Sequence, residues 1–186
     1  MNKKSQLKGV SLIIGGARSG KSRYGESLAL TLHKTPLYIA TAEIHDTEMQ
    51  QRIDLHKESR DQAWTICEEP IDIAAVIADH ALPDHTILLD CLTLWLSNLM
   101  GRNMDIDKEI TSLCQILEKY PGNIILISNE VGQGIVPNNA LARQFRDHAG
   151  RLNQAIAQIA DNVIHMVAGL PMIAKKNSIA TFGEYM

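Results

Sequence analysis

Four side chains and one loop in this chain have types and spacings that suit phosphate chemistry. The loop is Gly15-Gly16-Ala17-Arg18-Ser19-Gly20-Lys21-Ser22, the pattern G-x-x-x-x-G-K-S. Backbone N–H groups of such a glycine-rich turn wrap a triphosphate. Gly20 lets the backbone approach closely, Lys21 brings a cation to the outer phosphates, and Ser22 offers a hydroxyl to Mg²⁺. The second element is Asp90, at the end of the apolar run Thr86-Ile87-Leu88-Leu89. A carboxylate there can hold a Mg²⁺-bound water beside Ser22. Because Asp90 also precedes a helical run from Leu92, taken alone it reads equally as a helix N-cap; beside a phosphate loop the metal role is favoured.

The fourth side chain is His56. Glu48, Arg52, His56 and Arg60 fall at four-residue steps, on one face of a helix expected over Asp46–Arg60. A neutral imidazole in that setting could attack phosphorus and form a phosphoramidate. Arg52, Lys57 and Arg60 would then neutralise phosphate charge and depress the histidine's pKa. The plainer reading is a solvated, salt-bridging face. Further on, Arg143, Arg146 and Arg151 lie in a stretch that could clamp a phosphate or a neighbouring subunit's nucleotide, or could simply form a charged surface helix. Val131-Gly132-Gln133-Gly134-Ile135-Val136-Pro137 reads as a shaped loop at the ligand edge, or as a plain connection.

These residues need a scaffold, and the pattern supplies one. Short apolar runs at Val10–Ile14, Pro36–Ala40, Trp64–Cys67, Thr86–Leu89, Asn123–Ser128 and Asn162–Val167 predict strands covered on both faces. Helical stretches fall between them at Lys21–Leu32, Asp46–Arg60, Ile71–His80, Leu92–Met100, Asp107–Lys119 and Ala140–Ala160. The alternation predicts a single α/β domain over 1–186, with a mostly parallel sheet flanked by helices. Residues 171–186 lack pattern and read as a loose tail or an intersubunit arm.

Bulk properties narrow the function. A net charge of −3 gives no basic field, and 4% aromatic residues give no base-stacking platform, so nucleic acid is not an expected partner. No run reaches the length of a membrane span, and the start of the chain lacks the pattern of a secretory signal, which together predict a cytoplasmic protein. Cys67, Cys91 and Cys114 are isolated and read as reduced packing residues. The histidines show no zinc spacing, and no structural metal is expected.

Six ordered blocks together resemble one family. They are Gly15–Arg23, Tyr38–Ala42, Arg52-Ile53-x-x-His56-Lys57-x-x-Arg60, Leu89–Leu96, Asn129–Pro137 and Phe145–Gln154. In this order they resemble the bifunctional adenosylcobinamide kinase / adenosylcobinamide-phosphate guanylyltransferases. The resemblance implies a RecA-like phosphate-loop NTPase fold, with Mg²⁺ as cofactor and ATP and GTP as substrates. It implies phosphorylation of adenosylcobinamide on its aminopropanol hydroxyl, followed by transfer of GMP to that phosphate. By position it makes His56 the guanylylated residue and Lys21 the catalytic residue of the kinase step. It places Gly15, Gly16, Ala17, Arg18, Ser19, Gly20, Lys21, Ser22, Ala40, Thr41, Ala42, Lys57, Glu58, Ser59, Arg60, Glu68 and Asp90 around nucleotide, with Ser22 and Asp90 at the metal. Glu68 and Arg60 are implied to read or hold guanosine. A homotrimer is also implied. A monofunctional phosphate-loop kinase, or a GTP-binding module without catalysis, would share the loop but not need His56.

Overall fold

The computed structural model describes residues 7–43 and 63–176, and the backbone of 179–180. The helix expected over Asp46–Arg60 lies outside the described residues, and with it His56, Lys57, Glu58, Ser59 and Arg60.

Strand β1 (Val10–Gly15) leads through the glycine-rich loop into helix α1 (Lys21–Leu32). Then come β2 (Leu37–Ala40), β3 (Thr65–Glu68), α2 (Ile73–Asp79), β4 (Thr86–Asp90), α3 (Leu92–Gly101) and α4 (Ile106–Leu117). The chain continues as β5 (Asn123–Asn129), α5 (Ala140–Ile159), β6 (Asn162–Val167), β7 (Leu170–Lys176) and β8 (Ile179–Ala180). The sheet order is β3-β2-β4-β5-β1-β6-β7-β8. Pairing is parallel from β3 across to β6 and antiparallel from β6 to β8.

Alternation along the buried strands sends side chains into two cores. Leu12, Ile87, Leu89, Ile124 and Leu126 pack with Trp95, Leu96 and Leu99 of α3, Leu113 of α4 and Leu152 and Ile156 of α5. Their neighbours Ile13, Leu88, Ile125 and Ile127 pack with Ala29 of α1 on the opposite face. Helix α1 sits very close to the sheet: a Cβ on Gly25 would meet Ile127 Cδ1 at 2.7 Å and Leu88 Cδ1 at 3.2 Å. Both faces are therefore covered, which is why these strands read as continuous apolar runs. Among the described residues, three helices start on a side-chain cap. Asp72, Asp105 and Asn139 each accept a first-turn N–H, of α2, α4 and α5 respectively.

One expectation needs correction. The first part of 171–186 is not a loose tail, because Leu170–Lys176 forms β7 against β6. The turn between them is Ala168-Gly169, with φ 51° and 83°. Two consecutive left-handed residues build the tight hairpin connection whose twist matches that of the strands. Residues 181–186 lie outside the described residues.

Candidate active site

The polar residues that end β3, β4 and β5, with Thr41 just past β2, gather at one edge of the sheet, beside the glycine-rich loop. Register fixes this: Gly15 lies across from Asn129 and Met166, and Ala40 across from Asp90 and Glu68. In open α/β sheets the crevice outside the carboxyl ends of the strands is where ligands bind.

The glycine-rich loop is built by backbone contacts. Gly20 is the N-cap of α1 at φ 93°, and no side chain caps the helix, which leaves the first-turn N–H groups to a ligand. Arg18 also takes a left-handed conformation, at φ 54°. Lys21 is 6% exposed, and its Nζ donates to the Gly16 carbonyl at 2.6 Å and to Ser19 Oγ at 3.5 Å. Burial lowers the pKa of this ammonium from its ordinary value, opposed by the nearby Cys91 and Asp90.

The β6–β7 hairpin braces the loop from one side. Gly169 N–H donates to the Ser19 carbonyl at 3.0 Å, and a Cβ on Gly20 would lie 3.4 Å from Gly169 Cα. From the other side, Glu130 N–H donates to the Gly15 carbonyl at 3.0 Å. The loop is thus held between the ends of β5 and β6, the two neighbours of β1.

Asp90 is oriented by a buried tyrosine. Tyr38 Oη donates to Asp90 Oδ2 at 2.7 Å, and the Tyr38 ring packs edge-on against Trp64. The residue at the N-cap of α3 is Cys91, so the reading of Asp90 as that cap is set aside. Thr41 is fully buried: its Oγ1 donates to the Cys91 carbonyl at 2.8 Å and accepts from Cys91 N–H at 2.9 Å. Its hydroxyl is committed to the backbone next to Asp90, and its N–H donates to the Asp90 carbonyl at 3.2 Å. Glu68 stands exposed at the end of β3, on the same edge as Asp90 but with β2 between their strands. Cys91 is buried, and burial pushes its thiol pKa up, which fits a packing residue.

Several residues with no role in the motif reading complete the edge. Asn129, ending β5, donates to Thr93 Oγ1 at 2.8 Å. Ser128 Oγ donates to Asn153 Oδ1 at 2.6 Å, and Asn153 Nδ2 donates to the Asn129 carbonyl at 3.3 Å. These bonds lock the end of β5 to α3 and α5. The arginines of α5 do not converge on one point. Arg146 donates to the Gly132 carbonyl at 2.8 Å, Arg143 to the carbonyls of Pro137 and Asn138 at 3.0 and 2.8 Å, and Arg151 lies 3.3 Å from His148 Nδ1. The first two therefore shape the loop after β5, which is not a plain connection.

A hydroxyl at Ser22, the second residue of α1, and a carboxylate at Asp90, the last of β4, are hard oxygen donors. Such a set suits Mg²⁺, which keeps several waters and takes its remaining ligands from phosphates. Among the described residues there is no cluster of three or more His, Cys, Asp or Glu side chains able to hold a metal, and no helix is long and apolar enough to cross a membrane.

Comparison with known proteins bears on the fold and on the family. The flagellar accessory protein FlaH from Methanocaldococcus jannaschii, a solved structure, matches with a TM-score of 0.50 over 91% of this chain and 79% of its own, at 16% identity. A second solved structure, an ATPase domain, matches with a TM-score of 0.52 over 96% of this chain and 80% of its own, at 12% identity. At those identities the likeness is one of fold alone. Sequence relatives are more specific. The bifunctional adenosylcobalamin biosynthesis protein CobP of Pseudomonas aeruginosa is 46% identical over 88% of this chain and 96% of its own length. The bifunctional adenosylcobalamin biosynthesis protein CobU of Salmonella typhimurium is 42% identical over 86% of this chain and 96% of its own. The family model for cobinamide kinase / cobinamide phosphate guanyltransferase matches residues 11–173, which include the glycine-rich loop, Asp90 and the turn of the β6–β7 hairpin. The chain belongs to the bifunctional cobinamide kinase / cobinamide phosphate guanylyltransferase family of cobalamin biosynthesis.

Proposed function

We propose that this chain phosphorylates the aminopropanol hydroxyl of adenosylcobinamide with ATP or GTP, and then transfers GMP from GTP to that phosphate through a guanylyl adduct on His56. The products are adenosylcobinamide-GDP and pyrophosphate. The observation that carries the reading is the phosphate loop with Lys21, Ser22 and a tyrosine-oriented Asp90 on one sheet edge, in a chain that matches this family from residue 11 to 173.

In the kinase step the protein has little covalent chemistry to perform and must position groups and neutralise charge. Backbone N–H groups of 15–22 and the start of α1 hold the phosphates. Lys21 offsets charge that develops between the β- and γ-phosphates. Ser22 and Asp90 would hold Mg²⁺, and the bound ion would supply further neutralisation of phosphate charge. Tyr38 keeps the Asp90 carboxylate in one orientation for that task.

In the second step a nitrogen of His56 attacks the α-phosphorus of GTP and the bond to pyrophosphate breaks. The phosphate of the corrinoid then attacks the same phosphorus and the bond to His56 breaks, returning the free imidazole. Two displacements divide one difficult transfer into two easier ones. Lys57, Glu58, Ser59, Arg60 and Glu68 are assigned to the guanosine nucleotide of this step, and Ala40, Thr41 and Ala42 to the strand edge beneath it. The same reading makes the protein a cytoplasmic homotrimer that binds no nucleic acid, the last supported by its net charge of −3.

The test is to incubate the protein with Mg²⁺ and α-³²P-labelled GTP without corrinoid, denature it, and look for acid-labile, base-stable label. Wild type is expected to label and His56→Ala to lose the label entirely. Absence of label from wild type would remove guanylyl transfer and leave a monofunctional kinase or a binding module.

A further inference from the structure

The loop after β5 carries large apolar side chains that the fold holds away from its own core. Ile135 is 98% exposed, Val136 is 60% exposed, and Leu141 at the start of α5 is 62% exposed. A floppy loop could show this by chance, but this one is tied at both ends. Gly132 N–H donates to Glu130 Oε1 at 2.5 Å, and Arg146 holds the Gly132 carbonyl. Arg143 holds the carbonyls of Pro137 and Asn138, and Asn139 caps α5 through the N–H groups of Leu141 and Ala142. Fixing apolar side chains in water gains nothing in the free chain, so an exposed and braced apolar surface marks a contact to be made.

Its position says with what. The loop grows from β5, between the strand that bears the phosphate loop and the strand that bears Asp90. It is continuous with the site, because Glu130 N–H bonds the Gly15 carbonyl. Whatever receives the γ-phosphoryl group must bring its hydroxyl in line with the phosphorus, to about 3–3.5 Å. The bulk of that acceptor must then rest on surfaces flanking the phosphate loop. The other flank, on β6–β7, is of the same kind, with Leu170 and Met172 exposed beside the Gly169 contact. Between the apolar residues, Gln133 and Asn138 place amides on the loop. Apolar groups interspersed with amides match a macrocycle whose rim carries methyl groups and carboxamide arms.

We propose that the segment 131–138 is the platform on which the corrin ring of the acceptor rests while its aminopropanol hydroxyl reaches the phosphate loop. This rests on the function proposed above and adds to it the surface that selects a corrinoid. Cobinamide, which absorbs visible light, is the probe. Its equilibrium binding is measured by dialysis against wild type, Ile135→Ser and Leu82→Ser. Leu82 is an exposed leucine beside Pro83 and Asp84, which line a groove at the other edge of the sheet. The mass of each protein in solution is measured by light scattering. Loss of one isoleucine contact is expected to raise the Kd of Ile135→Ser about tenfold, with Leu82→Ser binding as wild type and all masses equal. An unchanged Kd for Ile135→Ser overturns the platform. So does a change in its mass, which would give this surface to another copy of the chain. If wild type labels with α-³²P GTP and Ile135→Ser still binds normally, the platform alone fails. If wild type neither labels nor binds cobinamide, the function fails and the platform with it.

Discussion

The two edges of the central sheet use the same residue types for opposite ends. At the amino edge, Asn123 Oδ1 accepts from Gly9 N–H, Asp161 Oδ2 accepts from Val10 N–H, and Asn162 Nδ2 donates to the Lys8 carbonyl and Ser11 Oγ. These side chains complete the backbone of neighbouring strands. At the carboxyl edge, Asp90 is held from behind by Tyr38, and Asn129 and Thr41 lock the strand ends around it. There the polar groups support the glycine-rich loop, which leads into α1 with no side-chain cap. The broad groove of about 450 Å³, lined by Lys8, Pro83, Asp84, Tyr120 and Gly122 among others, lies at the amino edge. A cavity is therefore a poor guide here, because the site proposed for phosphate rests on backbone donors and charge rather than on an enclosed volume.

The comparison predicts that substitutions divide by edge. Lys21→Ala should cost the most, lowering kcat/KM of the kinase step about 10³-fold, because it removes a preorganised cation from the transferring phosphoryl group. The lowered pKa of Lys21 adds a pH signature. Raising the pH should remove its proton, and with it kcat/KM, earlier than an ordinary lysine would. At saturating nucleotide the phosphates favour the protonated form, so kcat should fall at a higher pH than kcat/KM. In stability the sign is opposite. Between the folded-state value and the ordinary lysine value the unfolded chain binds the extra proton, so this group's contribution to stability rises with pH.

A smaller effect is expected at the brace. Gly169→Val forces a branched side chain onto φ 83° at the point where the hairpin N–H holds Ser19. Nucleotide affinity should weaken about tenfold, a distortion of order 1–2 kcal/mol, as read by titration calorimetry. At the amino edge the outcome should separate stability from activity. Asp161→Ala removes an acceptor from Val10 N–H and should lower unfolding free energy by about 2 kcal/mol while kcat/KM stays within about twofold. A large loss of turnover in a still-folded Asp161→Ala would break the division.

Much of this is readable from the residues because the chemistry is local. Gly15 to Ser22 announces the loop through spacing alone, and the doubly covered strands announce themselves as apolar runs. Asp90 is legible as a carboxylate ending a strand, but its two roles separate only with Cys91 at the N-cap of α3. What escapes is long-range. Tyr38 and Asp90 are 52 residues apart, and Asn129 and Thr93 are 36 apart, so no window on the sequence joins them. Strand β7 escapes for another reason. Leu170 to Ile173 are all exposed and include Pro171, so they show no alternation between a buried and a solvated face. Only Gly169 in its turn hints at a hairpin.

The most direct test is hydrogen–deuterium exchange with and without Mg²⁺ and a non-hydrolysable ATP analogue. The account predicts slowed exchange in peptides covering 15–24 and 129–132, with residues 119–123 unchanged. Protection of 119–123 and none at the phosphate loop would contradict it and move the nucleotide to the amino edge.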